Sequence, residues 1–178
     1  MIEKLSFRSF KSIESLEFEP STVNILIGAN GSGKNNVLEA IGVLSAAAGG
    51  RVDDESLLRR GVRPGLPSLY KCAFSGIERT PHIAFGAWCH HASYEVSLSN
   101  PIHDPLPEWR YHTEKLIENG DSVINRPDNG KDKYNPEAGL AALSLVALEA
   151  AKPAATFLRT LRETDISEFR ETASSFGR

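Results

Sequence analysis

Residues 23–36, VNILIGANGSGKNN, constrain this chain more than any other stretch. A short β-branched apolar run enters a glycine-rich loop, and an amphipathic pattern leaves it at Lys34. The phosphate-binding loop pattern asks for G-x-x-x-x-G-K followed by Ser or Thr. Gly28, Gly33 and Lys34 are in register, and Asn35 stands where the hydroxyl belongs. Glycines at 31 and 33 let backbone N–H groups approach an anion that side chains would otherwise screen. A helix starting at Lys34 adds the partial positive charge of its N-terminus. Lys34 itself would reach terminal phosphates as a point charge. An incidental glycine turn is the bland alternative, and the flanking strand and helix patterns weigh against it.

The rest of the chain supplies a frame for that unit. Residues 2–8 and 13–19 read as two strands, the second with Ile13, Leu16 and Phe18 on one face. VNILIG reads as a buried central strand. A helix is expected from Lys34 to about Ala48, with Val37, Leu38, Ile41, Val43 and Leu44 on its apolar side and Gly49-Gly50 as its stop. From about Leu69 to Arg126 the stretches LYKCAFSG, HIAFGAWCHH, ASYEVSLS, WRYHTEKLI and SVINR predict an antiparallel meander. Glu118-Asn119-Gly120-Asp121 marks a tight hairpin within it. After a polar loop, the Ala/Leu-rich residues 137–151 predict a helix that is apolar on most sides. Pro153 interrupts, and ATFLRTLRE restarts a helical pattern. The fold class is therefore α/β: a central strand, glycine loop and helix, joined to an antiparallel β meander and C-terminal helices.

Composition narrows the rest. With 178 residues the chain is one domain or one and a fraction, and 40% hydrophobic with 24% charged residues is ordinary for a globular protein. A net charge of -3 gives no support for a strongly basic nucleic-acid binder. No apolar run reaches the length of a membrane span, and MIEKLSFRSF lacks a secretory h-region. Cys72 and Cys89 make no disulfide framework, so a reducing cytoplasmic setting is expected.

The stretch SFRSFKSIESLEFEPSTVNILIGANGSGKNNVLEAI resembles the N-terminal lobe of ABC-type ATPases of the SMC/RecF kind. More narrowly, it is similar to the AAA family ATPases related to OLD proteins. The F-K-S turn, I-G-x-N-G-S-G-K, N-x-L-E-A-I and LLRRGVRP carry the likeness, which is strong to about residue 75 and weak to about 165. The resemblance implies a P-loop NTPase lobe in which Gly28, Ala29, Asn30, Gly31, Ser32, Gly33 and Lys34 wrap the phosphates of ATP. It also implies that Lys11 lies near the nucleotide, that Asn35 takes the Mg²⁺-ligand position and that Asn36 matches a recurrent asparagine. Residues 1–136 would form this lobe, and 137–178 a helical tail beginning a missing or separate second lobe. Such proteins dimerise their heads on ATP and act on DNA or on an effector protein, in DNA repair or phage defence.

The departures from that family point one way. Asn35 offers only an amide oxygen, and Mg²⁺ demands short, near-octahedral oxygen ligation. Weakened Mg²⁺ coordination is expected, with binding less affected than hydrolysis. No apolar run ends in Asp-Glu, so no Walker B carboxylates are present and no catalytic residue is assigned. LSLVALEA carries a lone Glu149 near its end, and the run reads as the packing face of a helix. The chain contains no glutamine, which removes a glutamine-based Q-loop, and LSAAAGG follows the wrong helix to be a signature motif. A non-catalytic regulatory module, or a truncated product, is the competing expectation. Cys89, His90 and His91 fit no usual zinc spacing. Arg59, Arg60 and Arg63 read as a solvated cluster with local salt bridges rather than a phosphate-contacting patch.

Overall fold

The computed structural model describes residues 1–72, 80–106, 109–126, 139–145, 148 and 152–163. Alternating apolar positions produce six strands: β1 (Lys4–Phe10), β2 (Ile13–Phe18), β3 (His82–Trp88), β4 (Ala92–Ser99), β5 (Arg110–Glu118) and β6 (Asp121–Arg126). They form one antiparallel sheet in the order β2-β1-β3-β4-β5-β6. The N-terminal hairpin thus extends the meander, with Phe7 opposite Leu16 on one side and Phe85 on the other. Asn119 and Gly120 take φ of 51° and 89°, the left-handed pair that a tight hairpin needs. LYKCAFSG behaves differently from expectation. Pro67–Tyr70 forms a 3₁₀ turn, opened by a proline that lacks an N–H, and Lys71 makes only an isolated bridge to Phe10.

One face of the sheet carries the core. Phe7, Phe10, Ile83, Phe85, Tyr94, Val96 and Leu98 are buried there, and α1 (Lys34–Ala48) packs on them through Ala40, Val43, Leu44 and Ala47. Phe10 and Phe85 meet edge to face at 5.6 Å, and Phe10 and Tyr70 lie 6.0 Å apart. α3 (Pro153–Arg162) lies beside α1 and buries Phe157, Leu158 and Leu161. Pro153 begins that helix instead of interrupting one, since the first helical N–H has no internal partner to lose. Arg162 donates from Nε to the carbonyl of Ala48 at 2.7 Å, capping the end of α1. A short helix, α2 (Asp54–Leu58), opens with a capping box in which the Ser56 N–H donates to Asp53 Oδ1 at 2.8 Å.

Two expectations are corrected. Residues 23–28 form no strand: Val23, Ile25 and Ile27 are 74%, 78% and 90% exposed. A central strand needs a partner on each side, yet β1 already sits between β2 and β3, so the sheet has no interior place for it. The helix expected over 137–151 is also not found where residues are described. Gly139 is left-handed at φ 64°, the Ala141 N–H donates to the Gly50 carbonyl at 2.9 Å, and Ala142–Leu145 form a single 3₁₀ turn. Glu114 of β5 accepts the Ala142 and Leu143 N–H groups at 2.5 and 3.3 Å, so tertiary bonding overrides helix propensity. Residues 137–138, 146–147 and 149–151 lie outside the described residues, as do 73–79 of the meander. Among the described residues, no helix is long and apolar enough to cross a membrane.

Candidate functional site

α1 begins where the glycine loop ends. Gly33 stands at the N-cap with φ 92°, a conformation that glycine reaches at no steric cost. Its carbonyl accepts the N–H groups of Asn36 and Val37 at 2.9 and 3.2 Å, which closes the first turn. The N-cap glycine offers no side-chain acceptor to the remaining first-turn N–H groups, those of Lys34 and Asn35. No acidic residue occupies that turn, so nothing offsets its positive end. Residues Asn30 to Asn36 line a cavity of about 190 Å³ at this point, with no carboxylate among them.

Lys34 defines the other wall. Its ammonium donates to the carbonyls of Gly28 and Ala29 at 2.6 and 2.7 Å and lies 3.4 Å from Ser32 Oγ. The loop therefore folds around its own lysine. At Gly28 a Cβ would come within 2.7 Å of Ser32 Oγ, so a side chain there would displace that hydroxyl. Ala29 and Gly28 act through their carbonyls, whereas Asn30, Gly31, Ser32 and Gly33 form the cavity wall. Asn35 is exposed on the first turn of α1. Asn36, at the edge of the cavity, donates from Nδ2 to Ser12 Oγ at 2.6 Å.

Lys11 sits in the two-residue turn between β1 and β2, with φ of 49°. Its ammonium pairs with Glu39 of α1, which is 4% exposed, and lies 4.7 Å from the centre of the Tyr70 ring. Lys11 is not among the residues that line the cavity. The Tyr70 hydroxyl donates to the Arg63 carbonyl, and its pKa is pushed up to about 12 by burial first and by Glu39 and Asp54 second. Sequence reasoning missed Glu39 and Ser12. A signal for Glu39 was available: a carboxylate falls one turn before Val43 on the buried stripe of α1, where a charge must find a partner.

The lesser candidates are accounted for locally. Arg59 pairs with Glu55 one helical turn away, Arg60 donates from Nε to Ser45 Oγ at 2.7 Å, and Arg63 lies 4.0 Å from Glu39. His90 and His91 follow β3 in the turn before β4, rather than in a strand as expected, and their rings meet edge to face at 4.5 Å.

A family model described as "AAA domain, putative AbiEii toxin, Type IV TA system" matches residues 23–143, which takes in the loop, α1 and most of the sheet. The chain belongs to this AAA-domain family. Shorter stretches of the AAA-domain chain are similar to proteins named DNA replication and repair protein RecF. The one from Renibacterium salmoninarum is 41% identical over 68 residues, which is 36% of this chain and 17% of the relative. The one from Heliobacterium modesticaldum is 34% identical over 89 residues, 44% of this chain and 23% of the relative. That from Marinomonas sp. is 49% identical over 43 residues, 24% of this chain and 12% of the relative. The AAA-domain chain thus spans less than a quarter of the length of these relatives.

Proposed function

We propose that this chain is the ATP-binding lobe of an ABC-type ATPase, and that it holds nucleotide without turning it over alone. The observation that carries the reading is the uncapped N-terminus of α1, wrapped by Gly28–Gly33 and served by Lys34. The start of α1 and the lysine line a small cavity free of carboxylates, a setting that suits a phosphate chain. Lys34 would exchange its carbonyl contacts for phosphate oxygens, and the N–H groups of the first turn would orient the terminal phosphate.

The same residues fit Mg²⁺ poorly. Asn35 offers one amide oxygen, and the cavity wall contributes no acidic ligand. When bound, Mg²⁺ would supply positive charge against the phosphates. Among the described residues, Asn35 is the one that would help to hold it. We assign no general base.

Residues 1–136 would constitute this lobe, and a second lobe, in the same polypeptide or another, would supply the missing acidic parts and seat Val23–Ile27. DNA as a partner is suggested by the likeness to proteins named for DNA replication and repair, and head dimerisation or an effector protein by the resemblance to ABC-type ATPases. The second reading is a non-catalytic regulatory module, favoured by Asn35. Titrating ATP with and without Mg²⁺ tests both. Binding that is nearly indifferent to Mg²⁺ is expected, and no binding at millimolar ATP would remove the first reading.

A further inference from the structure

We infer that Ser12, at the tip of the β1–β2 turn, is a positioning residue that sets the conformation of Gly33–Asn35 and so shapes the phosphate cradle. The role of that cradle rests on the nucleotide reading above; the contact itself does not. Lys11 and Ser12 are the two residues between the paired Phe10 and Ile13. Each reaches α1. Ser12 Oγ accepts from Asn36 Nδ2 at 2.6 Å, and Lys11 pairs with Glu39. Asn36 and Glu39 stand three residues apart, so they share one helix face, and the turn grips that face at two points.

Ser12 also touches the loop from the other side. A Cβ at Gly33 would lie 2.7 Å from Ser12 Oγ, so the hydroxyl stands close against this residue, whose φ of 92° already favours glycine. The carbonyl of Gly33 holds the Asn36 and Val37 N–H groups, and the Asn36 side chain holds Ser12. A closed circuit results: Ser12 fixes Asn36, Asn36 and Val37 bond back to Gly33, and Gly33 packs on Ser12. The direction in which the first-turn N–H groups point depends on that circuit.

The turn is anchored independently of the loop. Ser9 and Lys11 adopt φ of 57° and 49°, which L-residues reach at a cost. The Lys11 N–H donates to the Tyr70 carbonyl at 2.8 Å, and the Cys72 N–H donates to the Ser9 carbonyl at 3.0 Å. The sheet therefore presents Ser12 to the loop as a fixed stop.

Amide hydrogen exchange on the full chain tests this directly. In Ser12→Ala and in Asn36→Ala, exchange at the Asn36 and Val37 amides should rise about 3- to 10-fold, the scale of one lost hydrogen bond. Amides of β3 and β4 should keep their rates, and Ser12→Thr, which retains the hydroxyl, should restore slow exchange at 36 and 37. Unchanged exchange at those two amides in Ser12→Ala would overturn the inference, as would a rise spread evenly over the sheet. A parallel ATP titration separates the two ideas. If the parent chain binds ATP, Ser12→Ala should bind it about 3- to 10-fold more weakly, and equal affinity counts against Ser12. If the parent fails to bind while exchange responds as described, Ser12 still positions the loop and the nucleotide reading falls.

Discussion

Glu114 accepts the hydroxyl proton of Tyr94 at 3.0 Å beneath the helical layer, where neither side chain is exposed. The same carboxylate takes two backbone N–H groups from Ala142 and Leu143 and lies 4.0 Å from buried Arg126. Burial raises the Glu114 pKa, and those hydrogen bonds and Arg126 only partly oppose the rise. The folded chain therefore binds this proton more tightly than the unfolded chain does. The resulting stability is fully present below the ordinary carboxylate value and is lost as pH rises through the elevated one. Urea unfolding of the parent and Glu114→Gln across the acid range should show this slope in the parent and not in the variant. Slopes that superimpose would refute it. Glu114→Ala should cost about 3 kcal/mol, because it removes the acceptor of Tyr94 and of two backbone N–H groups together with the carboxylate beside buried Arg126.

Replacing Lys34 with Met removes the only cation of the cavity wall. ATP affinity, read by calorimetry, should fall at least about tenfold, the scale of a charge-assisted hydrogen bond to phosphate. The ammonium contacts only exposed loop groups, so the thermal midpoint should barely move. A variant that binds ATP as tightly as the parent would show that the loop is not the phosphate site.

Asn35→Ser restores a hydroxyl to the first turn of α1. ATP affinity in the presence of Mg²⁺ should then exceed affinity in its absence by a larger factor than in the parent. Turnover should stay undetectable, since the substitution supplies a ligand and no base. An identical Mg²⁺ dependence in both chains would mean that Asn35 is not what weakens the cation.

Ile25→Ser and Ile27→Ser should change the unfolding free energy of this chain by no more than about 0.5 kcal/mol, as exposed positions do. Phe10→Ala should cost about 3–5 kcal/mol, because Phe10 is fully buried between Phe85 and Tyr70. Comparable losses at Ile25 and Phe10 would show that residues 23–28 are packed after all.

What was legible in the sequence was what local pattern controls. Helix α1 was expected from Lys34 to about Ala48 and runs over those residues, because an apolar stripe and the Gly49-Gly50 stop define it without outside help. Strands β3 to β6 follow from alternation and the Asn119-Gly120 turn. The run at 23–28 misled, because β-branched composition reports fitness for a sheet but not whether neighbours exist to complete one. The stretch at 137–151 misled for the opposite reason. Glu114, more than twenty residues upstream, captures its N–H groups, and no local pattern shows that. At the site, a glycine loop running into a helix at Lys34 could be read, whereas the grip of Lys11 and Ser12 on α1 arises only when β1 and β2 pair.

The exposed run Val23–Ile27 also bears on how this polypeptide behaves at concentration. It is short, uncharged, rich in β-branched residues and outside the sheet, a combination that favours cross-β stacking. The ceiling on soluble yield would then be set by these five residues rather than by the stability of the sheet behind them. A charge placed at Ile25 should raise that ceiling without touching the core.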